Sequence, residues 1–302
     1  MRQYFHNQVD LLISLLPHIE EEKCFALKGG TAINLFFRDM PRLSVDIDLV
    51  YLPIEGREES MTKISTALDN IYSSISKGKD IKVSTLGGVG NFKKLICSRA
   101  AAEVKIEVNL VIRGAIHKPV KRELSQRAQS IFKKYSTIDC LSLEETYAGK
   151  LCAALDRQHP RDLFDVMVLM ENEGISENMK DTFLVYLLSH NRPIAELLNP
   201  NSRDIEEDFS KSFEGMTDEV VELDSLLETR SKMVNKVGSI LNDRDKEFLI
   251  SFKAKKPRWE LLTLGNVSHL PAIRWKMENI RRMDGEKHRI SLMKLENLLG
   301  RI

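Results

Sequence analysis

The chain has 302 residues, of which 42% are hydrophobic and 29% are charged, and its net charge is +1. This length and composition are typical of a soluble globular protein with two domains. The four cysteines lack the spacing of a zinc or redox site, and the N-terminal apolar run is too short for a membrane span or a signal peptide. We therefore expect a cytoplasmic protein with no membrane partner.

Helices and strands alternate in the first part of the chain. Apolar spacing predicts helices over residues 7–22, from Thr31 onward and over 58–76. Strands are predicted over residues 24–27, 43–51, 81–86, 93–98 and 103–112, with a glycine turn at 87–90.

Beyond about residue 120 the pattern is helical throughout. Ser142 and Glu145 have the spacing of a capping box, in which each side chain satisfies the other residue's backbone N–H. Pro160 opens a further helix, at a position where proline is favourable. We therefore predict an α+β fold, with a strand-rich domain over residues 1–125 and a helical domain over 126–302.

Charge is distributed unevenly along the chain. Residues 171–230 contain 15 acidic and 5 basic side chains, whereas residues 251–302 contain 12 basic and 5 acidic ones. The basic C-terminal segment suits a phosphate-rich partner. The alternative is that both segments are solvated helix faces.

Two aspartates share one face of the strand predicted over residues 43–51. Because side chains alternate along a strand, the apolar residues face a core while Ser44, Asp46 and Asp48 face the other way. Two bare carboxylates about 4 Å apart repel by about 1 kcal/mol in water and about 4 kcal/mol at an effective dielectric of 20. A divalent cation, Mg²⁺ or Mn²⁺, that binds both removes this repulsion. The alternative is an edge strand with both carboxylates in water.

A glycine pair precedes this strand. Gly29 and Gly30 follow Lys28 and lie just before the helix predicted from Thr31, where backbone N–H groups attract phosphate. A tight turn without a ligand is the alternative. The glycine pair followed by Asp-x-Asp on the next strand is more specific than either feature alone.

The strand predicted over residues 103–112 offers a third carboxylate, which a site with two metal ions requires. Glu107 lies in the middle of this strand and is our choice, with Glu103 as the second candidate. The alternative is a solvated sheet face.

Two blocks of sequence carry a family resemblance. The segments 28–34 (KGGTAIN) and 42–48 (RLSVDID) resemble the motif of DNA-polymerase-β-type nucleotidyltransferases, and more closely that of the AbiEii/AbiGii toxin family, which includes the MenT-type toxins. The segments 150–157 (KLCAALDR) and 161–165 (RDLFD) are similar to a second block of that family. The resemblance implies a nucleotidyltransferase domain, with a mixed sheet flanked by helices, followed by a helical domain.

The same resemblance implies a toxin of an abortive-infection or toxin–antitoxin system, held in check by an antitoxin protein encoded by an adjacent gene. It also implies transfer of nucleotides from an NTP to RNA, at the 3′ end of tRNA in characterised relatives. One departure concerns the glycine pair, because the wider superfamily often has Gly-Ser where this chain has Gly29-Gly30. The hydroxyl contact with phosphate would then come from Thr31 or Ser44.

The resemblance also implies roles for the carboxylates. Asp46 and Asp48 would hold the ions that bridge the triphosphate, and Glu107 would ligate the ion that activates the attacking hydroxyl. The expected nucleotide-binding residues are Lys28, Gly29, Gly30, Thr31, Ser44 and Arg157.

In the second block, Lys150 is expected to place a positive charge on the triphosphate. Asp162 and Asp165 lie three residues apart on one helix face and would orient Lys150, complete the site or bind the base or ribose. The alternatives are a solvated Lys150 and an ordinary ion pair between Arg161 and Asp165.

The basic C-terminal segment interleaves cations with two tryptophans. This composition suits binding to phosphates and stacking on unpaired bases, although two buried core tryptophans with lysines at the rim explain it almost as well. Residues 257–259 and 270–276 also resemble the family. The expected RNA-binding residues are Lys255, Lys256, Arg258, Arg274 and Lys276.

Two other functions compete with this interpretation. One is nucleotidylation of a protein or of a small-molecule acceptor. The other is a catalytically silent module that only binds nucleotide. The presence of Asp46, Asp48 and Glu107 together favours an enzyme.

Overall fold

The structure is a computed structural model that describes residues 3–87 and 93–301. Of the predicted glycine turn, residues 88–90 lie outside these ranges. None of the described helices combines the length and the apolarity needed to cross a bilayer.

The first half of the chain contains all the described strands. In order, its elements are α1 (Gln3–Glu20), β1 (Phe25–Lys28), α2 (Gly29–Ala32) with a π-helical continuation (Ile33–Phe37), β2 (Asp46–Tyr51), α3 (Arg57–Ser76), β3 (Lys82–Gly87), β4 (Lys93–Arg99), β5 (Ala102–Asn109), β6 (Val120–Glu123), α4 (Gln126–Phe132) and β7 (Thr137–Cys140).

Helices follow in the second half. They are α5 (Leu143–Arg157), α6 (Pro160–Glu171), α7 (Glu177–Ser189), α8 (Ile194–Leu198), α9 (Glu206–Ser212), α10 (Leu223–Ile240), α11 (Asp243–Lys253), a 3₁₀ turn (Trp259–Leu261), α12 (Pro271–Arg281) and α13 (Gly285–Leu299).

The chain divides into two compact units. The first comprises Met1–Thr146 and Glu214–Val220, and the second comprises Tyr147–Phe213 and Val221–Ile302. The first unit holds the sheet, and the described elements of the second unit are helical.

The described strands form one seven-stranded mixed sheet in the order β3-β4-β5-β2-β1-β7-β6. β2 pairs parallel with β5, and β1 pairs parallel with β7, while the other neighbours are antiparallel. The prediction of an entirely helical pattern beyond residue 120 is therefore wrong for β6 and β7. All four residues of β6 are exposed, and β7 has only four residues, so neither gives a usable apolar alternation.

The core of the first unit lies on one face of this sheet. Leu43, Val45, Ile47 and Leu49 are all buried in it, which confirms the alternation predicted for this segment. Buried residues of α1 and α3 belong to the same cluster. The face that carries Asp46 and Asp48 is consequently directed away from this core.

Strand β2 begins at Asp46, three residues later than predicted, because the backbone of Leu43 is bonded elsewhere. Its N–H donates to the carbonyl of Met216 at 2.8 Å, and its carbonyl accepts from the Arg42 guanidinium at 2.8 Å. The first helix after β1 begins at Gly29, two residues before the predicted Thr31.

The predicted capping box is half correct. Ser142 Oγ accepts the backbone N–H of Glu145 at 3.2 Å, as expected. The Glu145 carboxylate instead accepts the N–H groups of Ile116, at 3.0 and 3.1 Å, and of His117, at 3.2 Å. Glu145 therefore fixes the segment that follows β5 to the start of α5.

Candidate active site

A row of four charged residues crosses the sheet on the face opposite the core. Asp48 of β2 lies opposite Lys28 of β1 on one side and opposite Glu107 of β5 on the other. Beyond Glu107, Lys94 of β4 donates from Nζ to Glu107 Oε1 at 2.7 Å. Because neighbouring strands are about 4.8 Å apart, the carboxylates of Asp48 and Glu107 are adjacent in the sheet. We call these four residues, Lys28, Asp48, Glu107 and Lys94, the charge row.

Asp46 lies two residues before Asp48 on the same strand face, opposite Lys105 of β5. Its backbone carbonyl accepts a hydrogen bond from Thr31 Oγ1 at 2.5 Å, and Thr31 Oγ1 is 2.9 Å from Ser44 Oγ. The side chains of Thr31 and Ser44 are buried. Thr31 therefore fixes the backbone of Asp46, and Ser44 fixes Thr31. The expected contact of either hydroxyl with phosphate stays a prediction, and it requires that hydroxyl to give up its present hydrogen bond.

The glycine pair allows close approach between the start of α2 and β2. Gly29 has a φ of +72°, and a Cβ at this position would lie 2.8 Å from Asp48 Oδ2. A Cβ at Gly30 would lie 2.8 Å from Arg42 Nη2. Arg42 is buried, so its charge lies against the glycine pair.

Arg42 and Lys94 are the residues of this site that sequence reasoning did not single out. Arg42 stands at the start of the second matched segment, so its position was a usable signal. Lys94 could not be found in this way, because its contact with Glu107 depends on the pairing of β4 with β5.

The donor chemistry of the site fits a hard divalent cation. Carboxylate oxygens are the ligands that Mg²⁺ prefers in proteins, and Asp48 and Glu107 present them from adjacent strands. Within the described residues, no three His, Cys, Asp or Glu side chains form a ready-made metal site. Glu107 is held by Lys94, so convergence of the three carboxylates requires release of this pair. Glu103 lies opposite Ser98 and outside the charge row.

The second predicted block forms a buried ionic cluster within the helical unit. Lys150 Nζ lies 2.9 Å from Asp162 Oδ1 and 2.9 Å from Asp165 Oδ2. The side chain of Lys150 is 6% exposed and those of the two aspartates are 1% exposed or less, so the alternative of a solvated lysine is wrong. We call Lys150, Asp162 and Asp165 the buried-ion cluster.

Arg157 connects this cluster to the surface. Its Nε lies 2.5 Å from Asp162 Oδ2, and its Nη2 lies 3.0 Å from Asp162 Oδ1, while 57% of its side chain is exposed. Burial by itself would raise the pKa of Asp162, but Lys150 and Arg157 outweigh it and hold this pKa well below its ordinary value. Asp162 is therefore ionised and bridges both cations.

The predicted RNA-binding residues have different surroundings. Lys276 Nζ donates to the carbonyls of His190 at 2.6 Å and Arg192 at 2.8 Å, just beyond the end of α7. Burial lowers the pKa of Lys276 to about 8. Lys276 therefore stabilises the C-terminal end of a helix, and its surroundings give no support to an RNA contact.

Of the other four predicted RNA-binding residues, Lys256, Arg258 and Arg274 are exposed, and Lys255 is half-buried. Arg258 is paired with Glu247 and Glu260, and Lys255 reaches a backbone carbonyl at 3.5 Å.

The two tryptophans of the basic segment also differ. Trp259 packs against Phe248 and Phe252, with ring centroids 5.7 and 6.1 Å apart. Trp275 is 57% exposed on α12, next to Arg274. The alternative of two buried core tryptophans is therefore wrong, because Trp259 is half-buried and Trp275 is exposed.

Comparison with known proteins identifies a family and a fold. The family model described as nucleotidyl transferase AbiEii toxin, type IV toxin–antitoxin system, matches residues 10–279. The structure is similar to MenT4, nucleotidyltransferase toxin Rv2826c from Mycobacterium tuberculosis H37Rv, with a TM-score of 0.58 and 14% sequence identity over 90% of this chain and 91% of that one. This likeness confirms the predicted α+β fold. No curated protein sequence matches the chain.

A positive φ costs an L residue about 1–2 kcal/mol. Substitution Gly29→Ala should lower the free energy of unfolding by more than this amount, because the new Cβ would also lie too close to the Asp48 carboxylate. The matched control is Gly174→Ala, at a φ of +69° with nothing within 4 Å of the new Cβ, which isolates the backbone cost. Urea unfolding measures both variants. Equal losses would contradict the contact with Asp48.

Substitution Lys150→Met should lower the free energy of unfolding by about 3–5 kcal/mol at pH 7, because it removes the cation that lies between two buried carboxylates. Loss of the Lys150 charge raises the folded-state pKa of Asp162, so the stability deficit relative to the wild type should shrink as the pH falls from 7 towards 4 and below. In the wild type, the folded-state pKa of Asp162 is lowered. Its contribution to the free energy of unfolding is therefore lost only when the pH falls below about 4, the pKa of an aspartate in the unfolded chain. Urea unfolding across this pH range tests the prediction, and a pH-independent deficit would contradict it.

Proposed function

Because the chain belongs to the AbiEii nucleotidyltransferase toxin family, we propose that it transfers a nucleotide from an NTP to RNA, at the 3′ end of tRNA, in a reaction that depends on Mg²⁺ or Mn²⁺. The chain is a nucleotidyltransferase toxin of a type IV toxin–antitoxin system, which implies an antitoxin partner and an NTP substrate. We further propose that an adjacent gene encodes the antitoxin, and that the reaction takes place in the cytoplasm, where NTPs and tRNA occur.

The observation that carries the metal-dependent reaction is the placement of three carboxylates on two paired strands. Asp46 and Asp48 of β2 and Glu107 of β5 share one sheet face, with Asp48 directly opposite Glu107. These residues would hold the divalent ions, which when bound polarise the phosphate and lower the pKa of the attacking hydroxyl. Lys94 releases Glu107 when the carboxylates converge.

The positive groups around the glycine pair support binding of the triphosphate. Lys28 lies directly opposite Asp48, and the buried Arg42 guanidinium lies against Gly30. Together with the backbone N–H groups at the start of α2, these cations form a field that attracts phosphate. This part of the site therefore orients the nucleotide.

In the helical unit, we propose that Arg157, and not Lys150, is the cation that contacts phosphate. The charge of Lys150 is surrounded by Asp162 and Asp165 and is buried with them. Asp162 holds the Arg157 guanidinium, which reaches solvent. Lys150 thus acts by fixing Asp162, and Arg157 is the group that is accessible to phosphate.

The accessible groups of the basic C-terminal segment support RNA as the acceptor. Lys256 and Arg274 are exposed cations, and Trp275 beside Arg274 presents an indole on which an unpaired base can stack. A protein or small-molecule acceptor would not require this combination.

Substitution Asp46→Ala should reduce the rate of nucleotide transfer by a factor of about 100 or more. The Asp46 carboxylate would bind the divalent ions, and these ions would stabilise the negative charge on the phosphate in the transition state. The free energy of unfolding should change by less than about 1 kcal/mol, because the side chain lies outside the core and the variant keeps the backbone carbonyl that Thr31 binds. Each α-labelled NTP is incubated with total tRNA and total protein, with Asp80→Ala, at an exposed position, as the control.

Retained transfer in the Asp46→Ala variant would contradict the metal site. Label in protein with none in RNA would select the alternative acceptor. A complete lack of transfer by the wild-type protein with every NTP would favour the silent binding module.

Substitutions Lys256→Glu and Arg274→Glu should each weaken tRNA binding and reduce the slope of log K against log salt by about 0.7–0.9 for each phosphate that the variant no longer neutralises. Lys211→Glu, an exposed lysine in the acidic segment paired with Glu207, is the matched charge reversal and should leave the slope unchanged. Filter binding at several salt concentrations measures the effect. Equal slopes in all variants would place the RNA surface elsewhere.

A further inference from the structure

Arg113 is a buried cation without a partner among the described residues. It lies in the segment after β5, where the N–H of the next residue, Gly114, donates to the carbonyl of Tyr51 at 2.8 Å. Arg113 is 6% exposed, and its Nε and Nη1 atoms are buried without a hydrogen bond to any described residue. The rest of the chain, residues 1–2, 88–92 and 302, contains no aspartate or glutamate.

A buried arginine without an anionic partner destabilises the folded protein. A guanidinium remains charged at any pH at which the protein is folded, so it cannot lose its charge as a buried lysine or histidine does. Buried charges in native proteins are accordingly paired or bound to a ligand of opposite sign. For Arg113, no carboxylate of the described chain fulfils this role.

A second arginine acts on Arg113 electrostatically, and the Tyr51 side chain opposes it in part. Burial lowers the pKa of Arg113, and Arg57, the first residue of α3, lowers this pKa further. The Tyr51 hydroxyl donates to Glu55 Oε2 at 2.9 Å, and Glu55 Oε1 accepts from Lys63 at 2.6 Å, so the Glu55 carboxylate is already occupied.

Two more carboxylates, Glu58 and Glu59, lie in the first turn of α3, and both are exposed. Glu59 is bound to Lys63 at 2.8 Å. Gly56, the N-cap residue of α3, contributes no side-chain cap. The N-terminus of this 20-residue helix therefore adds its partial positive charge beside Arg57, which interacts electrostatically with Arg113.

We infer that Arg113 and Arg57, at the start of α3, form a binding site for a phosphate group, separate from the charge row. Two guanidinium groups offer planar pairs of N–H donors that match the oxygens of phosphate, and the dianion compensates both charges. The residue after Arg113 bonds to Tyr51 at the end of β2, three residues and about 10 Å along the strand from Asp48 of the charge row. The ligand is free inorganic phosphate or the phosphate group of a nucleotide.

The experiment compares thermal unfolding of the whole protein in chloride buffer and in inorganic phosphate buffer at equal ionic strength, without divalent metal. The wild-type Tm should rise in phosphate, by about 5 °C when phosphate exceeds its Kd 100-fold. In the Arg113→Met variant the Tm in chloride should be higher than that of the wild type, because the unpaired charge is gone, and the rise in phosphate should disappear.

The matched control is Arg99→Met, which removes a partly buried arginine of the same unit that is paired with Asp10. This variant should lose stability in chloride and keep the full response to phosphate. Arg57→Gln, at an exposed position, should fold normally and reduce the phosphate affinity, so it tests the site even if Arg113→Met does not fold.

Four further outcomes decide the proposal. An equal response of the wild type and the Arg113→Met variant, or no response of the wild type, overturns it. An equal response of the wild type to acetate overturns phosphate as the ligand class. A stronger response to metal-free ATP than to phosphate, lost in Arg113→Met but kept in Asp46→Ala, identifies a nucleotide as the source and separates this site from the charge row.

Discussion

The parallel register between β2 and β5 determines the chemistry of the sheet. This register places Asp48 directly opposite Glu107, and the antiparallel pairing with β1 places Lys28 on the other side of Asp48. The buried partners Ile47 and Ile106 maintain it, because a slip of one residue would move the carboxylates into the core and the apolar side chains to the site. The same hydrophobic residues that stabilise the unit therefore align the carboxylates.

The Lys94–Glu107 pair and the buried-ion cluster differ in how easily they can be rearranged. Lys94 and Glu107 are 42% and 37% exposed, and an exposed pair of this kind contributes about 0–1 kcal/mol. Lys94 can therefore release Glu107 at little cost. The buried-ion cluster is different, because removal of one partner from such a cluster costs about 3–5 kcal/mol. One group can exchange its partner during a reaction, while the other is a fixed support for Arg157.

The parts of the site that sequence reasoning found are those that depend on one segment alone. The alternation of residues 43–49 identified the buried face, and the second block identified residues that do contact one another, Lys150 with Asp162 and Asp165. Contacts that depend on pairing between distant segments were missed. Lys94 reaches Glu107 only through the strand register, and Lys276 stabilises the end of α7 across 84 to 86 residues of chain. Strand β6 was missed because no side chain in it is buried.

Arg42 gives a physical reason for the departure of this chain from the wider superfamily. Where related motifs often have Gly-Ser, this chain has Gly29-Gly30, and a Cβ at Gly30 would lie 2.8 Å from Arg42 Nη2. Arg42 is buried and its Nη1 donates to the carbonyl of Leu43, so its end group has little room to move. The hydroxyls of Thr31 and Ser44 lie beside this position, 2.9 Å from each other, and Thr31 also binds the backbone of Asp46. The side chain of a serine at position 30 is thus replaced by a buried cation and two hydroxyls from neighbouring positions, which explains how the second glycine is compatible with an intact arrangement of the carboxylates.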